Sequence, residues 1–238
     1  MTNKEVLQSA PEFISPIPRT YMAQRKYCAV TQLFGLNDAP FYKKLGQKGH
    51  GGIDFRTKGA AQWLFHKIKG SIRGKHITTK QTKGIIPIVA CHDGFVVSPD
   101  NDDKKAGIYV HIESKQFIEK GKIYKYRTTY FHLDAVRRYV GDSISTHATR
   151  EHGKNYVRQG TVIGYSGNTG KYTTGAHLHL SLRKYELRDG TWRLLNYNNG
   201  FFGKINAMQL FQDETVYQYR KLYYYKGKLL TRQEALSI

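Results

Sequence analysis

In HLHLSL, residues 177–182, every second residue is a leucine. A period of two puts alternate side chains on opposite faces of an extended strand. Leu178, Leu180 and Leu182 therefore point to a core, while His177, His179 and Ser181 are displayed together on the other side. The segment GIYVHIE alternates the same way, with Ile108, Val110 and Ile112 on one face and Tyr109, His111 and Glu113 on the other. GIIPIVACHDGFVV reads as two strands joined at Asp93-Gly94, a hairpin signal. IYKYRTTYFHL is another strand, entered through Lys120-Gly121, and QYRKLYYYKGKLLT reads as a hairpin turning near Lys226-Gly227. The chain is predicted to be mainly β, with antiparallel sheets packed as a sandwich or open barrel. One segment breaks the pattern: in GAAQWLFHKIKG, Ala61, Leu64, Phe65 and Ile68 fall at helical spacing and predict a short amphipathic helix.

The 238 residues suffice for one well-buried core with extensions. Residues 1–21 hold Pro11, Pro16 and Pro18 and read as an extended N-terminal arm. Residues 22–212 read as the main domain and 213–238 as a C-terminal hairpin extension. The net charge of +20 draws such a surface to polyanions: nucleic acid, anionic membrane or anionic wall polymer. The charge is uneven, since from Phe55 to His92 there are eight Lys or Arg and no acid. Two cysteines, Cys28 and Cys91, exclude a disulfide framework and read as semi-buried thiols. No run of eighteen apolar residues crosses a membrane, and MTNKEVLQSAPEFISPIP lacks the apolar stretch of a Sec signal.

Two imidazoles side by side on one strand face are a frequent start for a metal or acid–base site. Taken alone, H-x-H is as readily a pair of solvated histidines. A second element, His50-Gly51-Gly52-Ile53-Asp54, adds two residue types that ligate zinc, separated by glycines that let the backbone bend. A third is Tyr130-Phe131-His132-Leu133 at a strand end. The fourth is VIGYSGNTGKYTTGAHLHL, whose glycines at 164, 167, 170 and 175 form a tight loop into the H-x-H strand. Within it, Gly164-Tyr165-Ser166-Gly167-Asn168 lacks the last glycine of a serine nucleophile elbow. Gly170-Lys171 is followed by Tyr172 where a P-loop needs Ser or Thr.

Together, in this order, GHGGIDF, ACHDGFV, YFHL, GYSGNTG and TGAHLHL resemble the LytM/lysostaphin family of peptidoglycan zinc endopeptidases. The resemblance runs from about Thr31 to Phe211, closing on FFGKINAMQLF. It implies a duplicated hybrid motif β fold and a zinc-dependent hydrolase of peptidoglycan peptides. It implies one Zn2+ per chain, ligated by His50, Asp54 and His179, with a fourth position open for water. His132 and His177 would stand beside the metal as catalytic residues, activating water and stabilising the tetrahedral intermediate. Two departures stand out. Ser181 occupies a position where family members often carry Glu, and a basic insertion of roughly 60–84 separates GIDF from ACHDG.

The second hypothesis is an inactive family member acting as a wall-binding or activator module. The third is a basic nucleic-acid-binding protein, which leaves the histidine set unexplained. Expected partners are bacterial peptidoglycan and, through Lys67, Lys69, Arg73, Lys75, Lys80 and Lys83, anionic wall polymers. The place of action is the bacterial cell wall, reached as a phage-encoded protein or by unconventional export. His66, His76, His92, His111, His147 and His152 receive no role.

Overall fold

A computed structural model describes residues 6–7, 9–22, 27–36, 40–57, 86–136, 155–173 and 175–238. The helix expected at 61–68, the basic insertion with its six cations, and His66, His76, His147 and His152 lie outside the described residues.

The described strands are β1 (Val6–Leu7), β2 (Cys28–Gln32), β3 (Ile53–Arg56), β4 (Pro87–Val89), β5 (Gly94–Asp103), β6 (Gly107–Ser114), β7 (Gln116–Glu119) and β8 (Lys122–Val136). They continue with β9 (Tyr156–Val157), β10 (Val162–Ser166), β11 (His177–Arg188), β12 (Thr191–Leu194), β13 (Lys204–Ile205), β14 (Tyr217–Tyr219), β15 (Leu222–Tyr225) and β16 (Lys228–Leu230). Among the described residues helix occurs only in short segments, the longest of them Arg232–Ser237, capped by Thr231 and Glu234. The mainly β architecture read from the alternation is the one observed, and the sheet is open. Its backbone order is β16-β15-β14-β2-β3-β11-β8-β6-β5-β9. Pairing is antiparallel except where β1 joins β7 and β14 joins β2.

Strand β11 is central because it pairs with β3 on one side and β8 on the other. Its leucines are fully buried, as the period of two requires: Leu178, Leu180 and Leu182 are each 0% exposed. They pack in one core with Ile53, Phe55, Val110, Ile112, Tyr130 and Leu133. Removing one such leucine side chain costs about 2–5 kcal/mol, through lost burial and the cavity left behind. The Lys120-Gly121 and Lys226-Gly227 turns both have two positive φ angles, which suits the twist of a two-residue hairpin.

The hairpin expected at Asp93-Gly94 does not form. Strand β4 pairs with β10, and β5 pairs with β6 and β9. Long-range contacts override the local turn signal. The Asp93 carboxylate accepts from the Gln159 backbone N–H at 2.7 Å and the Tyr156 hydroxyl at 2.8 Å. Gly94 sits where a Cβ would lie 2.2 Å from the Glu113 carbonyl oxygen. Near the N-terminus Phe13 bridges Phe211 and is fully buried against His92 and Tyr126, and Arg19–Met22 forms a helical turn. Cys28 and Cys91 are both free thiols and both buried.

Candidate metal centre

The antiparallel register of β3 and β11 sets His179 directly opposite Asp54 and Leu180 directly opposite Ile53. Directly paired residues share a face, so the core takes Ile53 and Leu180 while Asp54 and His179 meet on the other side. His50 comes from the loop entering β3. Its backbone N–H donates to the Leu36 carbonyl at 2.7 Å, and its own carbonyl accepts from Gly35 at 2.8 Å.

The two glycines between His50 and Asp54 serve close approach; neither lies in the left-handed region. A Cβ on Gly52 would fall 2.5 Å from the Leu180 carbonyl oxygen and 2.6 Å from His179 Nε2. A Cβ on Gly51 would meet Gln47 Oε1 at 2.8 Å and Lys204 Nζ at 2.9 Å.

Three electron-rich atoms converge. His50 Nε2 and His179 Nδ1 are 2.9 Å apart, His179 Nδ1 and Asp54 Oδ1 are 2.9 Å apart, and His50 Nε2 and Asp54 Oδ1 are 3.1 Å apart. His50 Nδ1 lies 3.1 Å from the Leu33 carbonyl, to which it can only donate, so Nε2 presents its lone pair to the cluster. Two imidazole nitrogens and a carboxylate oxygen about 3 Å apart match the donor types and short bonds of about 2.0–2.2 Å that zinc takes. Burial raises the Asp54 pKa, but hydrogen bonds and charge from His179 and His50 outweigh it and hold the carboxyl well below the usual range. Burial pushes His179 down to about 3, with His50 and Lys204 adding to the effect against Asp54. Asp54 is therefore held as an anion and His179 as a neutral imidazole, the protonation a metal requires of those two donors.

His177 and His132 stand beside this triangle. Their ring centroids are 4.9 Å apart, and His177 Nε2 is 3.7 Å from Asp54 Oδ1. Each is held by its other nitrogen: His177 Nδ1 donates to the Gly175 carbonyl at 2.7 Å, and His132 Nδ1 to the Thr169 carbonyl at 2.9 Å. His132 also has a hydrogen bond to the Ala106 backbone. Burial, followed by the charge of His177, lowers the His132 pKa.

His132 reaches the site through a break in its strand. Along β8, Tyr124, Tyr126, Thr128 and Tyr130 alternate into the core, so an unbroken strand would bury His132 there too. Instead β8 spends three residues, from Tyr130 to Leu133, against two on β6, from Val110 to Ile108. His132 has φ 62, and Leu133 resumes the core face at 0% exposure. The extra residue turns both Phe131 and His132 toward the pocket. Thr169 clamps this bulge. Its hydroxyl donates to the Leu133 carbonyl at 2.7 Å and accepts from the Ile108 N–H at 2.9 Å, while its carbonyl takes His132.

The pocket is also lined by Phe41, Tyr42, Gln47, Lys171, Tyr172 and Lys204. Tyr42 lies 5.7 Å from the His50 ring, and Phe41 touches Tyr172 at 5.0 Å. Sequence reading gave none of these a role, nor Thr169, although Thr169, Lys171 and Tyr172 lie in the glycine loop and Lys204 in FFGKINAMQLF. Ser181, in the position where Glu was considered, is 1% exposed and stands opposite Thr129 on β8.

The family model described as Peptidase family M23 matches residues 71–191, a span that holds His132, His177 and His179 and begins beyond His50 and Asp54. Among solved structures, the chain is similar to the catalytic domain of the antimicrobial peptidase lysostaphin from Staphylococcus simulans. That likeness has 19% identity over 81% of this chain and 96% of that one, with a TM-score of 0.42. It is similar to LytU at 26% identity over 76% of this chain and 82% of that one, with a TM-score of 0.43. It is also similar to a variant of the catalytic domain of the prophage-encoded M23 protein EnpA from Enterococcus faecalis. There the identity is 19% over 72% of this chain and 89% of that one, with a TM-score of 0.39. No curated protein matches the chain in sequence.

Proposed function

The chain belongs to peptidase family M23, and from that membership we propose that it is a zinc-dependent endopeptidase hydrolysing the peptide part of bacterial peptidoglycan. The observation that carries the reading is the convergence of His50, Asp54 and His179 donor atoms within 4.8 Å of one another, with two further imidazoles alongside. His50, Asp54 and His179 would hold the metal. Zinc in such a site supplies Lewis acidity toward water and a peptide carbonyl. The residues of the chain do the rest. His132 and His177 are fixed through Nδ1, so a ring that accepts a proton from the attacking water at Nε2 can pass that proton on to the leaving amine. Asp54 would be the anionic member of the set, its carboxyl held well below the usual range.

Digestion of purified peptidoglycan with the zinc-loaded protein, followed by mass spectrometry of the fragments, tests this reading. New amino termini within the peptides are expected. Intact wall that nevertheless retains the protein would instead identify a binding module, and the complete donor set is what speaks against that alternative. The protein would act at the wall, with the cations from Lys67 to Lys83 attracting anionic wall polymer. That attraction is screened over about 8 Å at physiological salt, so wall binding should fall as salt rises. A protein with all six replaced by Gln should lose the salt-sensitive part and keep its activity on short soluble peptides.

A further inference from the structure

Three cationic side chains stand opposite one another on the sheet face that bears the metal centre. The register of β13 and β11 pairs Lys204 with Arg183, and that of β11 and β8 pairs Arg183 with Arg127. Arg183 shares a face with His179 by the period of two. Like charges set directly opposite one another across strands are destabilising. Only one end of this row is neutralised. Arg127 lies 2.5 and 3.0 Å from Glu113 Oε1, and Lys125 takes the other oxygen at 2.6 Å. Among the described residues neither Lys204 nor Arg183 has a carboxylate partner. Arg183 gives its Nε–H to the Phe202 carbonyl at 3.2 Å.

Lys204 is also held in place. Its carbonyl accepts from Asn199 Nδ2 at 2.8 Å, and its N–H donates to the Phe201 carbonyl at 3.2 Å. Asn199 Oδ1 ties the intervening turn through the Phe201 and Gly203 N–H groups. Two non-glycine residues around it, Asn196 and Phe202, are kept left-handed at φ 53 and 54. The side chain then runs over Gly51 into the pocket that holds His50, Asp54 and His179. An uncompensated pair of cations, one in the pocket wall and the other its cross-strand neighbour, is set up for an anionic group on the ligand of that pocket.

We propose that Lys204 and Arg183 form an anion subsite adjoining the metal pocket, and that it takes a free carboxylate of the peptide being cut. This rests on the reading of the pocket as a peptidase site. An arginine fork beside an ammonium suits the planar carboxylate, and charge-assisted hydrogen bonds supply the preference.

Muropeptides released from peptidoglycan by a muramidase are the probe, used as isolated and after their carboxylates are converted to primary amides. Titration calorimetry on the zinc-loaded protein reads binding apart from turnover. The free acids should bind about tenfold or more tightly than the amides. Lys204→Met should bind both forms alike, Lys204→Arg should restore most of the preference, and Arg183→Met should reduce it. Thermal melting and zinc content, unchanged in the variants, identify those that are folded. Two synthetic peptides, one carrying only a C-terminal carboxylate and one only an internal glutamate, tell which carboxylate is held. Equal binding of acid and amide by the parent, binding of neither, or a preference that survives Lys204→Met overturns the subsite. So does displacement by inorganic phosphate with no difference between the peptides. A carboxylate preference in a protein that cuts no peptidoglycan removes the hydrolase reading and leaves the subsite standing. Cleavage without that preference does the reverse.

Discussion

His179 and His132 reach the same pocket by opposite means. Asp54 and His179 arrive by unbroken register: they face each other across β3 and β11, with their sequence neighbours in the core. His132 arrives by a break in register, a left-handed residue in a strand that would otherwise bury it. A regular strand delivers side chains at no conformational cost. A bulge costs about 1–2 kcal/mol for the left-handed residue and in return re-aims a side chain between two sheet faces. The difference teaches that alternation along β11 offers His177 and His179 together, whereas a histidine on β8 joins them only where alternation is broken.

The sharpest way to break this comparison is to remove a ligand from the regular half. His179→Ala should lose stoichiometric zinc and, with it, all measurable hydrolysis. Metal analysis after gel filtration decides the matter, and a variant that keeps its zinc refutes the ligand assignment. For the two neighbouring histidines, one at the bulge and one on the regular strand, the loss should be smaller. His132→Ala and His177→Ala should each keep zinc and lose about two orders of magnitude or more in turnover, the range general acid–base groups supply. Loss of zinc in His177→Ala with retention in His179→Ala would exchange their roles.

The core side of β8, just before the bulge, makes a third test. His92 is fully buried, its Nε2 3.1 Å from Thr128 Oγ1 and its Nδ1 2.8 Å from the Asp93 carbonyl. Burial lowers its pKa to about 4, with Asp93 opposing. The unfolded chain binds this proton near pH 6.5 and the folded chain only near 4, so stability is full above 6.5 and declines as pH falls between the two. The decline due to His92 amounts to about 3 kcal/mol. Urea unfolding at a series of pH values should therefore show a shallower acid slope in His92→Gln than in the parent. Equal slopes would mean that His92 is not kept neutral by the fold.

The smallest effect probes the bulge itself. With metal removed from both proteins, His132→Val should be about 1–2 kcal/mol less stable than His132→Asn, because a β-branched residue resists the left-handed backbone that Asn tolerates. The same pair of substitutions at His179, in extended backbone, should not favour Asn. If Val and Asn are equally stable at position 132, the strand there is regular.

What could be read in advance follows the same division. Alternation in HLHLSL was enough to separate the buried leucines from the displayed histidines, and the order of the motifs brought His50, Asp54, His132, His177 and His179 to one place. Reading His132 by alternation alone would have sent it into the core with Tyr130, since a bulge leaves no mark in a period-two pattern. The Asp93-Gly94 signal was misleading because Tyr156, Gln159 and Glu113, distant in sequence, decide where those residues lie. Lys204 lies in FFGKINAMQLF, but nothing local there points to a site. It matters through pairing with β11 and through the space Gly51 leaves open.

The two thiols have a bearing on which metal atoms go where. Thiolate sulfur is a strong competitor for zinc, and a stray accessible one would draw the ion away from a nitrogen–oxygen set. Cys91 is walled in by the core, its thiol driven far above its ordinary pKa by burial, and Cys28 is buried beside β14. A sulfur that stays protonated and out of reach is no rival ligand. Among its described residues the folded chain thus offers an incoming ion one such group of donors.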